Sequence, residues 1–96
     1  MLPPITDETI IRRSANALWR PFEQETAVIL PTASAVRVLN EVGARLWQLA
    51  DGRTFGEILD ALVNEYEVTR TQLRSDAVAF LSELHSRGLL EAPTEE

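Results

Sequence analysis

The stretch Ala35–Trp47, AVRVLNEVGARLW, does most to limit what this chain can become. A short run with β-branched residues stops at Asn40, and helical spacing begins there at once. Upstream the pattern is that of strands, and downstream that of helices. The junction predicts an α+β fold: an N-terminal three-stranded antiparallel sheet followed by a three-helix bundle.

Three short strands are expected before the junction. Ala17–Phe22, ALWRPF, is the first; Pro21 cannot donate to a ladder and so confines it to an edge or a bulge. Glu23–Glu25 makes a polar break of hairpin length. Thr26–Leu30, TAVIL, is apolar enough to suggest burial on both faces or a central position. After a turn at Pro31–Ser34, Ala35–Leu39 supplies the third strand. Short turns favour a meander with TAVIL in the middle. Residues 1–16 are expected to form a partly ordered arm, 17–91 the folded domain, and 92–96 a solvated tail.

Asn40 is a good N-cap for the first helix, and Asp51-Gly52 is its expected end. Thr54 and Glu57 form a capping box for the second, whose apolar face is Phe55, Ile58, Leu59, Leu62, Val63 and Tyr66. Thr69 and Gln72 suggest a second capping box, with Val68 and Leu73 as its staple, and Gly88 stops the third helix. That helix has a core stripe of Leu73, Ala77, Phe80 and Leu84. Val78 and Leu81 widen the stripe on one side, where Arg74 and His85 also fall. The opposite flank, with Asp76, Glu83 and Arg87, reads as solvated. A stripe this wide has a second surface to cover, which either the sheet or a guest could supply.

Composition excludes much chemistry. The 96 residues make one domain, without room for a large catalytic cleft. There is no cysteine and a single histidine, His85, so thiolate and multi-histidine metal sites are ruled out and no cofactor is expected. The serines stand apart from any neighbouring base, and no glycine-rich phosphate loop is present, so no enzyme is expected. No apolar run approaches the ~18 residues of a membrane span, and the N-terminus lacks a signal-peptide pattern. A cytoplasmic protein with no membrane partner is expected. A sheet with three helices also matches a winged helix-turn-helix arrangement, which makes a DNA-binding or regulatory module the alternative reading. With a net charge of −6 and Arg12-Arg13 as the one adjacent cation pair, the chain offers little to a phosphate backbone.

The open feature is the sheet edge. In a meander the first and third strands are edges; Pro21 blunts the first, but Val36, Arg37, Val38 and Leu39 leave the third open. A guest peptide could add there, with side-chain pockets giving selectivity. Four ladder bonds at about 0.5–1.5 kcal/mol each are weak alone. Apolar anchors in a groove are therefore required, with the Arg74, Val78, Leu81 and His85 flank as its expected far wall. A covering loop or dimerisation through the edge are the other uses of such a strand; a monomer is expected.

The residues also carry a resemblance. Leu39–Val68, LNEVGARLWQLADGRTFGEILDALVNEYEV, with an amphipathic helix ending in RGLLE at Arg87–Glu91, resembles the PqqD family. The preceding ALWRPFEQETAVILP is similar to that family's first two strands and turn proline, so the likeness covers roughly Ala17–Glu91. It implies a non-catalytic peptide-recognition domain. Such a domain takes the leader region of a ribosomally made precursor peptide beside its third strand, against its third helix. It then presents the leader to a modifying enzyme, of radical SAM type, or to a leader peptidase. Two features depart from the family: the turn Pro31–Ser34 lacks glycine, and Val36-Arg37-Val38 lacks an aromatic pair. The leader residue facing Arg37 is accordingly expected to be small or acidic. Asn40, Gly43 and Trp47 are expected to be structural: a cap, a close helix contact and core.

Overall fold

The computed structural model describes residues 4–15, 17–29 and 36–91, and the backbone of 94–95. In chain order the elements are β1 (Thr9–Arg12), β2 (Leu18–Phe22), β3 (Glu25–Ile29), β4 (Val36–Leu39), α1 (Glu41–Leu49), β5 (Asp51–Thr54), α2 (Phe55–Glu65), α3 (Arg70–Ser86) and β6 (Thr94–Glu95). The fold is α+β, with three helices and two antiparallel sheets.

The first sheet has the order β2-β3-β4, so the TAVIL strand is central. β2 and β3 pair from Leu18↔Ile29 to Phe22↔Glu25, and β3 and β4 from Thr26↔Leu39 to Ile29↔Val36. The hairpin between β2 and β3 is a two-residue turn, Glu23-Gln24, with Glu23 at φ 54°. The expected turn at Pro31–Ser34, with Leu30 and Ala35, lies outside the described residues. Side chains alternate. Thr26, Val28 and Leu39 are buried on the face that meets α1, whereas Leu18, Phe22, Ile29, Val36 and Val38 are exposed on the other. The apolar run of TAVIL thus reflects its central position and not burial on both faces, since Ile29 is 42% exposed.

A second sheet, β5-β1-β6, replaces three segments expected to be irregular. The presumed arm contains β1, where Thr9 and Ile11 are buried. The presumed Asp51-Gly52 break is itself a strand, pairing as Ile10↔Thr54, Ile11↔Arg53 and Arg12↔Asp51. Within the presumed tail, β6 pairs with β1. The N–H of Arg13 donates to Ala50 O, that of Ser14 to Leu89 O, and that of Glu91 to Arg12 O. The N-terminal segment is thus stitched between the end of α1 and the end of the chain. Its pairing joins segments some forty residues apart, which local pattern does not reveal.

The helices begin where the caps require. Asn40 accepts from the N–H of Gly43, and Thr54 and Glu57 form the full reciprocal box. Thr69 accepts from the N–H of Gln72, but Gln72 turns its amide to Asp76 instead of completing a second box. Trp47, Phe55, Ile58, Leu59, Leu62, Leu81 and Leu84 fill the core between helices and sheets. No described helix is long and apolar enough to cross a membrane.

Candidate functional site: a groove between the open strand and the third helix

The sheet order leaves β4 at an edge, beside α3. Between β4, α1 and α3 lies a cavity of ≈ 550 Å³. Leu39, Val42 and Leu46 line it on one side, and Leu73, Ala77 and Phe80 on the α3 side. Arg37, Gln72 and Asp76 form polar parts of its rim. Such a hollow, mostly apolar with a few polar groups, is the usual form of a site that takes side chains from a guest.

Each wall follows from local sequence. The Asn40 cap starts α1 directly after β4, so Leu39 and Val42 reach the same hollow from consecutive elements. Gly43 lets the ring of Phe80 approach α1: a Cβ at Gly43 would lie 3.3 Å from Phe80 Cζ and 3.1 Å from the capping oxygen of Asn40. Trp47 is fully buried and meets Trp19 edge to face at 6.2 Å, which ties α1 to β2 beneath the sheet.

At the β4 start, Arg37 makes a two-point ion pair with Glu83 on α3, Nε donating to Oε2 at 3.0 Å and Nη2 to Oε1 at 3.1 Å. Arg37 also donates from Nη1 to the carbonyl of Val38. Glu83 accepts a further bond from Arg87 Nε at 3.2 Å. The hydrogen bonds from Arg37 hold the Glu83 carboxyl below its usual pKa, and the same contact raises that of Arg37. The pair closes one end of the groove, one turn of helix beyond Phe80.

The sequence-predicted site residues divide. Arg37, Val38 and Leu39 line the cavity. Arg37 and Leu39 point to the α3 side, while the side chains of Val36 and Val38 are exposed on the outer sheet face, which leaves their backbone for a guest. Arg74, Val78, Leu81 and His85 are not on the groove, and the expected far wall is corrected. Leu81 is wholly buried in the core, and Val78 packs against it. Arg74 lies over the Phe55 ring and is ion-paired with Asp7, which also meets Arg70. His85 is half-buried in the last turn of α3. The wide stripe of α3 is covered by the core, and on its flank Arg74 pairs with Asp7 of the N-terminal segment. The groove is walled instead by Leu73, Ala77 and Phe80 of the core stripe, with Gln72 and Asp76 beside them; of the flank that reads as solvated, Asp76 lines it. The signal that sequence reasoning missed was Phe80: it lies at the stripe's border and is only partly buried.

Comparison with known proteins bears on the family. The family model for coenzyme PQQ synthesis protein D (PqqD) matches residues 25–90. A "PqqA binding protein" of Rhodopseudomonas palustris (strain TIE-1) is 29% identical over 86 residues, spanning 88% of this chain and 82% of that protein. A solved structure, "TbiB1 in Complex with the TbiA(beta) Leader Peptide", superposes with a TM-score of 0.77 at 29% identity, covering 84% of this chain and 95% of that one. With the family model matched from β3 to beyond the end of α3, the chain belongs to the PqqD family.

Proposed function

We propose that this protein captures the leader segment of a ribosomally synthesised precursor peptide and presents it to a modifying enzyme, of radical SAM type, or to a leader peptidase. The leader adds as a strand to the free edge of β4 and sets its apolar side chains in the cavity against α3. The observation that carries this reading is that a strand edge unpaired among the described residues and an apolar hollow adjoin one another. Edge bonds supply affinity that any sequence can use, and the hollow supplies the selection. Relatives named for binding PqqA and solved with a leader peptide support it. The role is one of binding, carried out by a monomer in the cytoplasm.

The test is titration of the isotope-labelled protein with leader peptides of short precursor genes found beside its own, and with duplex DNA at two salt concentrations. The expected result is saturable peptide binding with amide shifts centred on β4 and the Gln72–Phe80 flank. Salt-sensitive DNA binding with no peptide binding would overturn the reading in favour of a nucleic-acid module.

A further inference from the structure

The two ends of the groove carry opposite charge. At the β4 start, Arg37 and Arg87 share the one carboxylate of Glu83, which leaves an excess positive charge. At the other end Asp76 accepts from the Gln72 amide, and among the described residues no ion pair holds it. Between them lies the apolar hollow of Leu39, Val42, Leu46, Leu73, Ala77 and Phe80.

We infer that the groove reads a charge order in its guest: a basic residue, then a large apolar residue two positions on, then an acidic residue two positions further. The inference rests on the strand-addition reading above. Asp76 and Glu83 stand seven residues apart on α3, about 10 Å along the helix axis. In an extended guest, residues i, i+2 and i+4 face the same side and span about 13 Å, a difference that long charged side chains absorb. An antiparallel guest, the commoner and more stable pairing, passes Leu39 before Val36. Its basic residue therefore meets Asp76, its apolar residue enters the hollow, and its acidic residue joins Arg37 and Arg87. The reversed order places like charges together at both ends. Arg37 and Glu83 are 39% and 32% exposed, so each charged contact acts as a partly screened pair.

The test is selection of a displayed library of random short peptides on the full chain, followed by titration of the enriched peptides. Enrichment of the basic–x–apolar–x–acidic order is expected, with about fivefold weaker binding when the two charges are exchanged. Asp76→Arg should weaken the same peptides by a similar factor, and a peptide whose basic residue is changed to Glu should recover that loss on the variant. Enriched peptides that share an apolar anchor but no charge order would overturn this inference and leave strand addition standing. Failure of any peptide to enrich would overturn both. Asp76 is exposed, so the variant retains the fold.

Discussion

The ring of Phe80 lies against Gly43, so close that a β-carbon there would sit 3.3 Å from Cζ. That contact sets the width of the groove, because Phe80 is its wall and Gly43 belongs to its floor. Gly43→Ala should gain up to about 1 kcal/mol of helix propensity and lose a comparable amount by crowding Phe80 and the Asn40 cap. Thermal unfolding should therefore move little. Peptide affinity should fall, since the ring lines the hollow and its displacement reshapes the space left for a guest. Unchanged affinity in a variant of unchanged stability would show that Phe80 does not bound the guest site.

Neighbouring residues on α3 separate stability from binding. Leu81 is wholly buried, so Leu81→Ala should cost about 2–5 kcal/mol. Phe80→Ala removes a partly buried ring at the groove and should cost less stability while abolishing most peptide binding. Urea unfolding and peptide titration of both variants would check this. The reverse pattern would place the guest on the Leu81 flank. Here the limit of the sequence is plain. Helical spacing identified Leu73, Ala77, Phe80 and Leu84 as one stripe. Which border of the stripe meets the groove is set by packing distant in sequence: Leu81 is buried in the core, and Asp7 of the N-terminal segment pairs with Arg74 on that same border.

Asp7 makes the N-terminal segment sensitive to acid. The hydrogen bond from Arg74, with further help from Arg70, lowers its pKa from 3.8. A carboxyl whose folded pKa is depressed stabilises the fold above its unfolded pKa, and that contribution is lost as pH falls through the folded value. Docking of β1 should thus loosen below about pH 4, while Asp7→Asn should show the loosened state already at neutral pH. Amide exchange of Ile10 and Ile11 reports it directly. Equal protection in wild type and variant at pH 7 would show that backbone pairing alone holds the strand.

Arg13 shows how much structure lay hidden in the presumed arm. Its Nη1 donates to the carbonyls of Trp47 at 2.7 Å and Gln48 at 2.9 Å, satisfying the end of α1. Its guanidinium also lies 5.2 Å from the Trp19 ring centroid and 6.0 Å from that of Trp47. The caps at Asn40 and Thr54 were legible because their partners lie three residues away, whereas this cap reaches across 34 residues. Arg13→Ala should cost about 1–2 kcal/mol from the lost charged hydrogen bonds and ring contact, with a shift in tryptophan emission. Arg13→Lys should recover only part, since one ammonium does not reproduce the planar contact. A fully restored melting temperature in the lysine variant would reduce the role of Arg13 to its charge.

Strand addition itself can be tested with two adjacent prolines. Along an antiparallel edge strand, successive N–H groups point alternately to the neighbouring strand and away from it. Of Arg37 and Val38, one N–H faces β3 and the other faces the open edge. Proline at the outward position removes only a donor meant for the guest, and edge strands tolerate it. Proline at the inward position breaks the β3–β4 ladder. One variant, Arg37→Pro or Val38→Pro, should therefore keep its melting temperature and lose peptide binding, while the other loses stability. Arg37→Ala serves as a control, since it removes the Glu83 ion pair with the backbone donor intact. If the stable proline variant bound peptide as well as that control, the guest could not be adding to β4.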